Sequence, residues 1–313
     1  MDKESARVKA SVIVLTYNHA PFIERALEGV LMQRTTFAFN VLVLDDGSDD
    51  GTTEVVKRLA AENPSIQLHA SPTRQGSAGN GARMAHLPFG DYVAWLDGDD
   101  EWTFEGKLQQ QVDFLEANED YSGTFHDATI VNSIDGHHTN QLYKGFKRYS
   151  QMYKYESVYY PWDAIERKII AQSSLVFRAK LLKTLPMDKL QGYKLSGGWM
   201  LSVLLLQHSK FKYFNEEWSI YNDHTAGITK TQNATQFNFA NIQFFKSLMT
   251  DDYYKNIKKD LYKALGNECR YILHSNRIKT ENRTFKLKVL WWYTRYYFPY
   301  YWLELKYQLK NLF

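Results

Sequence analysis

Short apolar runs alternate with stretches of helical periodicity over the first 120 residues. Ser11 to Leu15, Val41 to Leu44, Ile66 to His69 and Tyr92 to Leu96 are four such runs. Runs this short and rich in Val and Leu read as strands buried on both faces, as in a parallel sheet. Behind Pro21, which sits where a helix can begin, Phe22, Ile23, Ala26, Leu27, Val30 and Leu31 recur at helical spacing. A second helix is expected from about Thr53 to Ala61, with Val55, Val56 and Leu59 inward and Asn63-Pro64 ending it. Ser71 to Gly81 reads as a Gly- and Ser-containing loop. A further helix, from about Phe104 to Asn118, carries Phe104, Leu108, Val112 and Leu115 on one stripe. This alternation predicts an α/β fold with a doubly wound, mostly parallel sheet and flanking helices. Residues 121–230 are less periodic and rich in Tyr and Trp. From about Thr235 to Phe313 the pattern is mostly helical.

Composition narrows the class. The chain has 313 residues, of which 44% are hydrophobic and 23% charged, enough for a substantial core. The net charge of +3 gives no reason to expect nucleic acid as a partner. Cys269 is the one cysteine, so an internal disulfide and a Cys-rich metal site are excluded. Met1 to Lys9 is polar, without the apolar centre of a signal peptide. No run approaches the roughly 18 apolar residues of a spanning helix. A cytoplasmic protein is expected, with the inner face of the cell membrane as a second possible location.

Two acidic clusters follow two of the predicted strands. One is Asp45-Asp46-Gly47-Ser48-Asp49-Asp50-Gly51 and the other is Asp97-Gly98-Asp99-Asp100. The carboxyl ends of strands are where open α/β sheets bind ligands. Three carboxylates in one turn repel, and either raise their pKa values or recruit a cation. Hard oxygen donors favour Mg2+ or Mn2+, which would act as a Lewis acid on a diphosphate. A purely structural role also fits the first cluster, since Asp and Gly make turns and cap helices.

Other chemistries are disfavoured. A calcium loop starting at Asp46 would need Glu at its twelfth position, where Lys57 stands. A dinucleotide fold needs Gly-x-Gly-x-x-Gly after the first strand, where Thr16-Tyr17-Asn18-His19-Ala20-Pro21 stands. The Gly-Lys-Ser/Thr phosphate loop is absent.

Ser11-Val12-Ile13-Val14-Leu15-Thr16-Tyr17-Asn18, Leu44-Asp45-Asp46-Gly47-Ser48 and Trp95-Leu96-Asp97-Gly98-Asp99-Asp100 resemble, in this order, glycosyltransferase family 2 on a GT-A fold. Ser173 to Arg178 and Ile220 to His224 add to the resemblance, which covers roughly residues 10–230. It implies an inverting, metal-dependent glycosyltransferase. The donor would be a UDP-sugar and the acceptor a hydroxyl of a glycan or lipid-linked molecule, in cell-surface polysaccharide synthesis. By position, Leu15, Thr16 and Asn18 would line the base pocket. Asp46 would accept from the base, with Asp45 beside it, and Arg74 would approach base or diphosphate. Asp97 would contact ribose or metal, Asp99 would bind the metal, and His224 would close over metal and diphosphate. A transferase domain over 1–232 is expected, with a nucleotide-sugar half at about 8–120 and an acceptor half at about 121–232. A helical region would follow over 233–313. Tyr153, Tyr155, Tyr159, Tyr160 and Trp162 could form an acceptor wall or belong to the core.

One position departs from the family. Similar enzymes carry a carboxylate general base at the start of an acceptor-facing helix. The matching segment is Leu195-Ser196-Gly197-Gly198-Trp199-Met200-Leu201, with Gly198 at the base position and Trp199 as a candidate acceptor contact. Losing a general base costs about 100- to 10,000-fold in rate. An inactive form that still binds donor, or a substitute carboxylate such as Asp188 or Asp223, would account for it. The other functions held open are a non-catalytic sugar-nucleotide-binding protein on the same fold and, behind it, a nucleotidyltransferase.

The segment from Phe285 to Phe313 mixes Trp, Tyr and Phe with Lys and Arg, and Pro299 is expected to divide it into two short helices. Such helices suit a membrane interface, or packing on the catalytic domain or another subunit.

Overall fold

The computed structural model describes residues 7–84, 86–134, 136–139, 148–152, 158–160, 165, 170–185, 197–206, 209–227, 234–274, 278 and 281–310. Ten strands form the sheet: β1 (Val8–Thr16), β2 (Ala38–Asp45), β3 (Ile66–Ala70), β4 (Tyr92–Asp97), β5 (Glu101–Trp102), β6 (Tyr121–Ile134), β7 (His137–His138), β8 (Val158–Tyr159), β9 (Val176–Arg178) and β10 (Lys210–Asp223). The order is β3-β2-β1-β4-β9-β6-β10-β5, with β7 beside β6 and β8 beside β10. Neighbours among β3, β2, β1 and β4 run parallel, as do β6 and β10. Strand β9 is antiparallel to both β4 and β6 and joins the two halves.

The alternation of β1 shows how the layers form. Val12 and Val14 point to one face, and Ile13 to the other, all fully buried. The first face receives α1 (Ile23–Leu31), α2 (Thr52–Glu62) and, after α3 (Gly76–Met84), α4 (Lys107–Ala117). Helix α1 turns Ile23, Ala26, Leu27 and Val30 inward, the spacing expected of a single buried stripe. Truncating fully buried Leu27 to Ala would cost about 2–5 kcal/mol. On the other face lie α3 and α5 (Gly197–Leu206). Helices α6 (Ala234–Met249), α7 (Lys258–His274) and α8 (Arg283–Lys310) extend the same core.

Two expectations need correction. Residues 76–84 are the helix α3, although Gly76, Gly79 and Gly81 weaken helical propensity. A long-range cap compensates: the Asp46 carboxylate accepts from Gln75 N at 2.7 Å and Gly76 N at 2.9 Å. Arg83 pins the last turn by donating to Asn80 Oδ1, His69 O and Asp45 O. Likewise, Pro299 does not divide two helices, because α8 runs through it. Its upstream turns are anchored by buried Val289, Trp292 and Tyr296, and that packing outweighs the one backbone bond a proline forfeits.

Candidate active site

Three strand ends lie level at the carboxyl edge of the sheet. Leu15 pairs with Asp97 and Thr16 with Asp45, so β1, β2 and β4 release their chains side by side. Strand order reverses here, and such switch points open a crevice. Gly98 brings the second acidic turn close: its N–H donates to Leu15 O at 2.7 Å. A Cβ at Gly98 would lie 2.9 Å from Thr16 Cβ and 3.0 Å from Leu15 O, so a side chain does not fit.

The first acidic turn is built largely by its own side chains. Asp45 is fully buried and accepts from Ser48 N, Ser48 Oγ and Thr53 Oγ1. These three bonds shape the turn. Asp50 accepts from Thr52 and from Ala20 N, which ties the start of α1 to the start of α2. Burial opposes charge on Asp50, but these bonds win and hold its carboxyl below the ordinary range. Asn18 has φ 55, the left-handed region that Asn tolerates better than most residues. Its N–H donates to Ser48 Oγ, and its side-chain amide exchanges bonds with Asp49.

Asp46, expected at the base, is 3% exposed and caps α3 with both oxygens. Arg74, in the adjoining loop, is exposed and stacks its guanidinium 4.0 Å above the Tyr17 ring. Thr16 Oγ1 and His19 Nδ1 are buried polar atoms with no hydrogen-bond partner among the described residues.

The second turn concentrates charge. Asp100 N–H donates to Asp97 O at 2.9 Å, bringing three carboxylates into one turn. Burial and the neighbouring Asp99 push the Asp97 carboxyl up to about 7, against a bond from Trp95 Nε1 at 3.0 Å. Burial, Asp99 and Asp97 likewise push Asp100 well up. Asn222, near the end of β10, ties down the turn through its N–H to Asp100 Oδ1 and its amide to Asp99 O. Asp99 behaves differently. Burial works against its charge, but two imidazoles outweigh it and hold the carboxyl below its ordinary range. Asp99 Oδ2 lies 3.0 Å from His224 Nε2 and 3.6 Å from His19 Nε2. Phe22 packs on the His224 ring, with centroids 4.5 Å apart, and fixes its plane. The sequence reading did not single out His19. Its signal was its place, one residue beyond the Thr-Tyr-Asn turn.

Asp99 and His224 offer one oxygen and one nitrogen donor side by side. Among the described residues no three His, Cys, Asp or Glu side chains converge as a cation cage. Mg2+-type sites commonly use one or two carboxylates and leave other positions to phosphates and water, so these residues fit such an ion.

Gly198 stands in the first turn of α5, under Gln172. An added Cβ would meet Gln172 Cγ and Cδ, both at 2.7 Å. The Gln172 amide donates to Ser202 Oγ, one turn along the same helix. Trp199 is 7% exposed and packs edge-on to Phe245 of α6. Tyr159 is core, against Phe125 and Tyr213, while Tyr160 is 41% exposed. Asp223 is buried at the end of β10. Asp188, Tyr153, Tyr155 and Trp162 lie outside the described residues.

Comparison with known proteins agrees with this geometry. The amylovoran biosynthesis glycosyltransferase AmsB of Erwinia amylovora is 35% identical over 111 residues, 35% of this chain and 36% of that protein. An uncharacterised glycosyltransferase of Nostoc sp. is 32% identical over 128 residues, 41% of this chain and 39% of its own length. The alignments thus span well under half of these relatives. Among solved structures, Staphylococcus aureus TarS 1–349 in complex with UDP superposes with TM-score 0.57 at 16% identity, covering 87% of this chain and 73% of that one. Mannosyltransferase PcManGT from Pyrobaculum calidifontis, in complex with GDP-Man and Mn2+, gives TM-score 0.52 at 16% identity, over 99% of this chain and 82% of that one. Such likenesses establish the GT-A fold. Residues 11–184 match the profile of Glycosyl transferase family 2. Covering more than half of the chain and both acidic turns, that match shows that the protein belongs to glycosyltransferase family 2.

Proposed function

We propose that this protein binds a UDP-sugar at the carboxyl ends of β1, β2 and β4 and transfers the sugar, with inversion, to a hydroxyl of a glycan or lipid-linked acceptor in surface polysaccharide synthesis. The observation that carries the reading is Asp99 held between His19 and His224 where three strands end. The UDP complex of TarS supports the donor class, and the amylovoran biosynthesis in the name of AmsB supports the setting.

In this reading the uracil and ribose lie along Leu15, Thr16 and Asn18, and the Arg74 guanidinium approaches the diphosphate from the loop. Asp97, Asp99 and His224 would hold Mn2+ or Mg2+, which supplies charge neutralisation to the departing diphosphate. The acceptor hydroxyl attacks the anomeric carbon from the face opposite the diphosphate, which inverts the centre, and its proton would pass to a substitute carboxylate such as Asp223. Asp100, 2% exposed, lies in the least solvated part of the turn, where electrostatics are strongest.

Gly198 favours a second reading, a protein that binds the sugar nucleotide without transferring it. Glycine cannot accept the acceptor's proton, and Gln172 fills the space a base would enter. Screening nucleotide sugars with Mn2+ for transfer and for hydrolysis separates the readings. Turnover of a UDP-sugar supports the transferase. Stable binding without turnover supports the second reading, and absence of binding by every UDP-sugar overturns both.

A further inference from the structure

Helix α8 is apolar on two opposite faces; one enters the core and the other is largely exposed among the described residues. Val289, Trp292 and Tyr296, at 0%, 2% and 6% exposed, enter the core. Leu287, Leu290, Trp291, Phe298, Tyr301 and Trp302 are instead between 47% and 65% exposed. At about 100° per residue these six fall in one arc about 120° wide, opposite the buried face. The stripe runs about 22 Å along the helix at 1.5 Å per residue. Phe298, Pro299, Tyr301 and Trp302 form a shallow apolar depression at its end.

Charge identifies the occupant. Residues 283–302 contain Arg283, Lys286, Lys288 and Arg295 and no Asp or Glu. Arg295 flanks one edge of the stripe, Lys286 flanks the other and Arg283 lies at its start, while Lys288 Nζ turns back over the buried Trp292 ring at 5.0 Å. The Arg295 guanidinium sits 5.3 Å over the Trp291 ring, so cation and apolar surface are presented together. A second copy of α8 laid on this stripe would set cations against cations, with Glu304 the one carboxylate in the helix. No helix among the described residues is long and apolar enough to cross a membrane. Aromatic rings flanked by Lys and Arg instead suit the headgroup level of a bilayer.

We propose that the exposed face of α8 docks the protein in the plane of an anionic phospholipid surface. Trp291 and Phe298 would enter the boundary between headgroups and acyl chains, and the flanking cations would meet lipid phosphates. The inference rests on α8 alone and is independent of the sugar-nucleotide reading.

Cosedimentation of the full chain with vesicles, without nucleotide, tests it. Binding is expected to phosphatidylcholine–phosphatidylglycerol vesicles, with little to phosphatidylcholine alone, and with loss at high salt. Arg283→Gln with Arg295→Gln should weaken binding roughly tenfold or more. Trp291→Ser with Phe298→Ser should weaken it to a similar degree, with circular dichroism and melting temperature unchanged. Should these variants misfold, quenching of the intact protein's tryptophan emission by brominated anionic lipid gives the same answer. No binding to anionic vesicles, or equal binding by well-folded variants, overturns the proposal. So does lipid-free dimerisation that Trp291→Ser with Phe298→Ser abolishes, since the face would then be a self-interface.

Discussion

Asp99 Oδ2 and His224 Nε2 lie 3.0 Å apart, although 125 residues separate them in sequence. The contact joins the end of β4 to the end of β10, so closing the sheet also assembles the site. A hydrogen bond to a charged group contributes about 1.5–3 kcal/mol. We therefore expect His224→Ala to weaken UDP affinity in Mn2+ by about 10- to 100-fold. His19→Ala, at the longer 3.6 Å contact, should have the smaller effect. Calorimetry on both variants checks the order, and an unchanged affinity in His224→Ala would remove this residue from the donor site.

Asp46 is assigned to the cap of α3, and stability should show it. Asp46→Ala leaves the N–H groups of Gln75 and Gly76 without their acceptor. Loss of a cap costs about 0.5–2 kcal/mol, and the double bond here places the expected loss near the upper end. Asp46→Asn keeps one acceptor oxygen and should fall between. Urea unfolding of the three proteins measures this. Equal midpoints would show that α3 does not depend on Asp46.

Gly198→Asp should fold. The clash is with the flexible end of Gln172, and a carboxylate in the first turn of a helix is favourable by about 0.3–1 kcal/mol. If Gly198 is a vacated base position, the variant should gain transfer or donor hydrolysis over the parent, by up to about 100- to 10,000-fold. Gln172→Ala in the same chain should ease the fit. A rate no greater than the parent's, from a folded variant, would mean that this segment does not carry the base.

His126 gives a pH test away from the site. It is 1% exposed, and its Nδ1–H donates to Asp127 O at 2.6 Å. Burial, then the nearby Lys107, pushes its imidazole well below the ordinary value. An unfolded histidine titrates near 6.5, so the unfolded chain binds this proton first. The stabilisation is complete above about 6.5 and is lost as the pH falls toward the lower folded value. Asp97 and Asp100, with raised carboxyls, act in the opposite sense, so the prediction is on the difference: below about pH 6.5 the melting temperature of the parent should fall relative to that of His126→Gln. Parallel pH curves for the two proteins would contradict the assignment.

Much of the site was legible because chemistry and location coincide in the sequence. Two Val- and Leu-rich runs end in Asp, and buried parallel strands put those ends in one crevice. What the sequence did not show depends on contacts far along the chain. Residues 76–84 look like a loop until Asp46 arrives to cap them. Trp199 looks like an aromatic beside the acceptor, and its packing on Phe245 is visible only once α6 is in place. His19 looks like a turn residue until β4 delivers Asp99. Pro299 is a helix breaker by local rule, yet α8 is held by packing upstream of it. Asp45 reads equally well as ligand or turn former, and its bonds from Ser48 and Thr53 become visible only in the folded turn.

The proposed UDP site at the carboxyl ends of β1, β2 and β4 depends on Asp99. Calorimetric titration with UDP, with and without Mn2+, on this protein and on Asp99→Asn tests it most directly. Mn2+-dependent binding to the parent, lost in Asp99→Asn, is expected. Failure of UDP to bind the parent at all, or metal-independent binding of equal strength to both proteins, would contradict it.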